Sequence, residues 1–146
     1  MPKFEREVEI DAPVEKVWEV MVNPNFWSQW LPGIDSITNA TQTEEGPSFE
    51  YTNEAGSGHG TVVKMEPNKR LEIITQTGKD KDKHAFELKA SGGFLGLSAD
   101  ECKVNYTLDT LMGGGILGNF VAGGNPKDAI RVKKAMMLLR KLVESQ

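Results

Sequence analysis

The feature that most constrains this chain is the run from Ile34 to Thr110. Short apolar–polar alternations succeed one another there, with turn chemistry between them and no helical stretch among them. The alternations predict strands over about 34–42, 47–53, 58–67, 70–78, 83–91 and 101–110. Between them stand Glu45-Gly46-Pro47, Gly56-Ser57-Gly58, Pro67-Asn68, the segment from Gly78 to Asp82, and Gly92-Gly93, all rich in residues that favour turns. A parallel pair needs a crossover of roughly a dozen residues or more, and these connections are too short to supply one. The run therefore predicts an antiparallel meander.

Helical patterns occur only on its flanks. Phe4, Arg6, Val8 and Ile10 alternate with Glu5, Glu7 and Glu9, as in a strand with one buried face. Asp11 stands where an N-cap belongs, Pro13 falls near the first turn, and Val14, Val17, Trp18 and Met21 follow at helical spacing. Asn23-Pro24 ends that helix, and a second short one is expected from Asn25 to Leu31, closed by Pro32-Gly33. The last helix is expected from about Lys127 to Glu144, with Ala129, Val132, Met136, Leu139 and Val143 in one stripe that Ala135, Leu138 and Leu142 widen. The order of elements predicts a single α+β domain over residues 1–146. In it a curved seven-stranded antiparallel sheet has one face covered by the long helix, and the two short helices after the first strand close one end. Such a layer arrangement leaves room for a cavity between helix and sheet.

Composition narrows the function classes. The 146 residues are 38% hydrophobic and 26% charged, the balance of a soluble globular chain with a core that needs no staples. No apolar run reaches the ~18 residues of a membrane span, and the N-terminus shows no signal-peptide core, so the cytoplasm is the expected compartment. One cysteine, Cys102, allows no internal disulfide, and with only His59 and His84 beside it no metal site is expected. The net charge of −4 argues against nucleic-acid binding. Residues 1–126 hold 11 basic and 19 acidic side chains, a net −8, whereas residues 127–146 hold 6 and 2, a net +4. A basic terminal helix leaves open weak docking to a membrane or an acidic partner, beside the plainer reading of a solvated face.

Specific stretches carry a likeness to a known family. Val8-Glu9-Ile10-Asp11-Ala12-Pro13-Val14-Glu15-Lys16-Val17-Trp18, then Trp30-Leu31-Pro32-Gly33-Ile34, and the glycine-rich lead into the last helix resemble the START-like (SRPBCC) superfamily. The likeness is greatest to its bacterial polyketide cyclase/dehydrase-type members. The resemblance spans essentially the whole chain and implies the helix-grip fold, with a ligand-accessible cavity. It does not select a function, because that superfamily includes lipid carriers, hormone and allergen-type binders, aromatase/cyclases and chaperone activators.

Strand parity proposes the inward faces. These are Phe49, Tyr51 and Asn53; His59, Thr61, Val63 and Met65; Leu71, Ile73 and Thr75; His84, Phe86 and Leu88; and Cys102, Val104, Tyr106 and Leu108. Each set is mainly apolar with one or two polar tips, which suits an oily ligand held by a few oriented hydrogen bonds, or equally a filled core. His84 among apolar neighbours is the candidate acid or base, with Tyr51 or Tyr106 to polarise a carbonyl, against the plainer reading of a satisfied core histidine. Arg6 on the first strand is placed to meet a ligand carboxylate or phosphate, or to reach outward from the strand end. Trp30, with Trp27 and Phe26, either stacks on a ligand at the cavity mouth or anchors the short helices. Met136 faces the same space from the last helix. His59, flanked by Gly58 and Gly60, is expected at the rim.

Two strings carry less. Gly113, Gly115 and Gly118 satisfy Gly-x-Gly-x-x-Gly, but the chain offers neither the later parallel strand nor an acid about twenty residues on, so no nucleotide or other cofactor is expected. These glycines read instead as a pliable approach to the last helix, able to gate the cavity. Lys79-Asp80-Lys81-Asp82-Lys83 alternates in sign at a hairpin tip and reads as solvation. The leading expectation is a carrier or binder of a lipid, quinone, sterol-like or polyketide-like compound. The alternative is a cyclase, aromatase or dehydratase in the same cavity, with His84, Tyr51 and Tyr106 handling protons.

Overall fold

The computed structural model describes residues 3–42, 44, 46–54, 56–91, 101–112 and 126–146. The elements run β1 (Lys3–Ile10), α1 (Val14–Met21), α2 (Pro24–Trp30), β2 (Ser36–Gln42), β3 (Pro47–Asn53), β4 (Gly56–Glu66), β5 (Arg70–Thr77), β6 (Asp80–Ser91), β7 (Glu101–Met112) and α3 (Pro126–Glu144). Every adjacent pair of strands is antiparallel, in the order β1-β7-β6-β5-β4-β3-β2. The meander is therefore unbroken from β2 to β7, and β1 closes onto β7. This is the helix-grip arrangement, with α3 laid against the inner face along β1 and touching α2 and β7.

Local chemistry explains the element starts. Asn23 caps α2 by accepting the Asn25 N–H at 3.0 Å, with Pro24 in the first turn, where its missing N–H costs nothing. Asp11 does not cap α1. The N-cap is Pro13, which offers no side-chain bond, and its carbonyl accepts from Lys16 and Val17. The backbone N–H of Asp11 instead donates to Glu144 Oε2 at 2.9 Å, and Lys16 Nζ donates to the Gln146 carbonyl at 3.0 Å. The start of α1 is thereby tied to the end of α3.

The inner face and α3 enclose the core. Val132, Ala135, Met136, Leu139 and Val143 of α3 are buried, whereas Ala129 and Leu138, expected in the same stripe, are exposed. Trp27 and Trp30 of α2 are both buried. Trp27 donates its Nε1–H to the Met21 carbonyl at 2.7 Å and packs on Phe49 at 4.6 Å, which anchors the helix pair on β3.

Strand β4 departs from simple alternation. Its inner positions are Gly58, Gly60 and Val62, and a bulge between Val62 and Lys64 returns Met65 to the inner face opposite Leu71. His59 and Thr61 are consequently on the outer face, and Val63 sits at the bulge, contrary to the parity expected for them. The two glycines are there for space. A Cβ at Gly58 would stand 2.3 Å from the Tyr51 ring, and one at Gly60 would stand 2.2 Å from the Phe49 ring. The aromatic rings of β3 lie across the glycine backbone of β4, an arrangement open only to residues without a Cβ.

Candidate ligand site

Three polar side chains meet inside the apolar inner face. His84 of β6 has no exposed surface. Its Nε2 shares a hydrogen bond of 2.8 Å with Thr75 Oγ1 of β5, and its Nδ1 one of 2.5 Å with the Tyr106 hydroxyl of β7. Register puts Tyr106 opposite Phe86, and their rings stack at 4.4 Å, so the phenol leans along the sheet to reach the imidazole. Phe86 in turn receives the edge of Trp30 at 5.2 Å. The result is a line of hydroxyl, imidazole and hydroxyl walled by aromatic rings.

Burial decides the charge of this line. Desolvation, helped by the positive Arg131 nearby, pushes the His84 pKa down from 6.5 to about 3. The imidazole is therefore neutral at physiological pH, and a neutral ring donates from one nitrogen while accepting at the other. One tautomer polarises the line from Thr75 towards Tyr106, and the other reverses it.

A cation stands over this line. Asp82 shares the inner face of β6 with His84, and its Oδ2 lies 3.7 Å from Nη2 of Arg131 on α3. Arg131 also borders a cleft of about 260 Å³ between residues 28–35 and α3, whose other walls include Trp30, Gly33, Ile34, Lys134 and Leu138. The Nε1–H of Trp30 is buried and has no hydrogen-bond partner among the described residues. A buried donor left without a partner costs about 1–3 kcal/mol.

The model of the family described as polyketide cyclase / dehydrase and lipid transport matches residues 1–144. The chain belongs to that family. Among solved structures, a START superfamily protein from Mycobacterium smegmatis aligns with a TM-score of 0.66 at 14% identity, over 99% of each chain. The Aha1 protein from Colwellia psychrerythraea, solved as a dimer, aligns with a TM-score of 0.66 at 15% identity, over 99% of this chain and 96% of that one. DynU16, a protein of the dynemicin biosynthetic locus, aligns with a TM-score of 0.67 at 20% identity. This chain spans 99% of its own length but only 48% of DynU16. At these identities the structures share the fold. No curated protein matches the chain in sequence.

In this member of the polyketide cyclase/dehydrase and lipid transport family, the expected site residues fall into three groups. Thr75, His84, Phe86, Tyr106 and Trp30 come together as described, and Met136 is buried on the α3 side of the same core. Phe49 and Tyr51 share the inner face further along, but the Tyr51 hydroxyl is bonded to Thr77 Oγ1 at 2.7 Å. Tyr106 is thus the tyrosine that partners His84. Arg6 has inner-face parity opposite Tyr106, yet its side chain is exposed. His59 is exposed on the outer face, bonded to Ser48 Oγ at 3.1 Å and 3.4 Å from Thr61 Oγ1, so it is no rim residue of this site.

Arg131 and Asp82 are the residues that sequence reasoning passed over, the first as part of a solvated helix face and the second as a hairpin-tip charge. The parity of Asp82 with His84 and Phe86 was the available signal. The glycine approach at residues 113–125 lies outside the described residues. Among the described residues there is no cluster of three metal-ligating side chains and no helix long and apolar enough to cross a membrane.

Proposed function

We propose that this chain binds a hydrophobic small molecule of the lipid, quinone or polyketide-like kind between the sheet and α3. An oxygen function of the ligand is hydrogen-bonded by the Thr75–His84–Tyr106 line. The supporting observation is that line itself, a neutral histidine held between two hydroxyls with Phe86 and Trp30 around it. A core that needed only to be filled would be cheaper with apolar residues, since each buried polar group must recover its lost hydration. The family description, which joins cyclase, dehydrase and lipid transport, supports the same class of ligand. His84, Phe86 and Tyr106 have no exposed surface, so a ligand reaching them parts α3 from the sheet, and the Asp82–Arg131 pair is broken or remade as it enters.

The second reading is a cyclase or dehydratase in which His84 and Tyr106 move protons, favoured by their 2.5 Å contact. The depressed His84 pKa supports the binding reading over this one. Catalysis of proton transfer is most effective with a pKa close to the working pH, and His84 at about 3 is a weak base. A hydrogen-bonding role has no such requirement.

Native mass spectrometry of gently purified protein, before and after denaturation and with solvent extraction, tests both readings. A stoichiometric apolar adduct that is lost on unfolding is the expected result. An apo mass that persists after incubation with phospholipid, quinone and polyketide panels overturns the binding reading. An adduct that is converted on incubation by the wild type but not by His84→Gln replaces it with the enzymatic one.

A further inference from the structure

The outer face of α3 carries a second signal, and shares Lys134 and Leu138 with the cleft beside Arg131. The large hydrophobic side chains that are exposed among the described residues are Ile130, Met137 and Leu138, with 66%, 54% and 36% of their surfaces open. All three are on α3. At about 100° per residue they share one arc of roughly 140° with Lys133, Lys134 and Lys141, opposite the buried stripe centred on Leu139. These six residues line an open groove of about 210 Å³. Among the described residues none of the three lysines is in an ion pair, and Glu144, the acid of the same arc, is engaged by Arg140 and the Asp11 backbone.

We propose that this face of α3 docks the protein on an anionic lipid bilayer, with Ile130, Met137 and Leu138 entering the headgroup boundary and the three lysines at the level of the phosphates. The charge argument is specific to this face, because residues 1–126 carry a net −8 and are repelled by the same surface. The chain therefore approaches α3 first. A lysine keeps its ammonium at the phosphates while its stem lies along apolar surface, which suits lysines set among apolar side chains on one ridge. A second copy of the chain fits less well. Two such arcs face to face would set lysines against lysines. A peptide fits less well too, since the groove is smaller than the roughly 300 Å³ of even a small-ligand pocket. A bilayer has no fixed shape to match and moulds around projecting side chains.

Flotation with phosphatidylcholine vesicles, with and without phosphatidylserine, tests this. Each lysine near an anionic surface contributes roughly fivefold, so the wild type is expected to bind the phosphatidylserine vesicles about a hundredfold more tightly than the neutral ones. Raised salt should erase the difference. The triple variant Lys133→Glu, Lys134→Glu, Lys141→Glu should lose the preference, and Met137→Ser with Leu138→Ser should weaken binding to the anionic vesicles at unchanged charge. Circular dichroism of the variants reports whether the fold is kept, which the exposure of all five positions leads one to expect. Absence of flotation by the wild type overturns the proposal. So does flotation that survives the lysine reversals in folded protein, or a stable solution dimer that the Met137 and Leu138 changes dissolve.

Discussion

At the scale of single residues, His84 links structure to solution behaviour most directly. Its folded pKa of about 3 lies below the ordinary 6.5, so unfolding takes up a proton at any pH between the two. Stability must therefore fall as the solution is acidified through that window, by up to about 1.4 kcal/mol per pH unit, and be unaffected by this group above it. Glu72 is desolvated by burial, but hydrogen bonds from Arg70 and Lys83 hold its pKa below the ordinary 4.5. Its share of acid lability begins only near that value, below the onset for His84. Urea titrations between about pH 6.5 and 4.5 should show a steeper slope in the wild type than in His84→Gln. A Tyr106→Phe variant removes the hydroxyl bonded to Nδ1 and should cost about 1–3 kcal/mol, since it strands a buried ring nitrogen. Tyr51→Phe also loses a hydrogen bond, to Thr77, and should leave the acid slope unchanged, because it does not touch the imidazole.

At the scale of elements, the pairing of β3 with β4 shows how a strand can be specified by what it lacks. Phe49 and Tyr51 occupy the space where Cβ atoms of Gly60 and Gly58 would be. Gly60→Ala forces the Phe49 ring away from Trp27 and should destabilise the fold by roughly 1–3 kcal/mol in chemical denaturation. Ser57→Ala, at an exposed position of the same strand, should remain within about 0.5 kcal/mol. The parity of β4 was illegible in the sequence for the same reason. Two of its inner positions, Gly58 and Gly60, carry no side chain to count, so the apolar pair Val63 and Met65 set the count, and the bulge beyond Val62 shifted it by one. In α3 the buried arc was legible from spacing, but its width was not. Leu138 reads as a core residue from spacing, yet 36% of its surface is open.

At the scale of the molecule, the helix-grip fold stacks one sheet face on one helix, and any ligand bound between them must stabilise the folded state. A compound held at about one hundred times its dissociation constant adds roughly 2.7 kcal/mol, which for a chain of 146 residues raises the melting temperature by about 10 °C. Scanning calorimetry of the protein before and after solvent extraction should show this difference if the purified chain carries its ligand. On the two proposals above, the inner site would hold an apolar compound and the outer face of α3 would meet the surface such compounds come from, with the Asp82–Arg131 contact joining α3 to the sheet between them.

The order of the elements, the antiparallel meander, the cover helix and the inward set on β5, β6 and β7 can all be read from the residues in order. Those features depend on periodicity and turn chemistry, which act over a few residues and are written locally. That His84 meets Tyr106 and not Tyr51, that Arg131 and not Arg6 is the cation near His84, and that His59 faces outward emerge in three dimensions alone. Each of these depends on register across three strands or on where α3 lies along β1, and register is set by bulges and glycine gaps that leave no mark in the hydrophobic pattern.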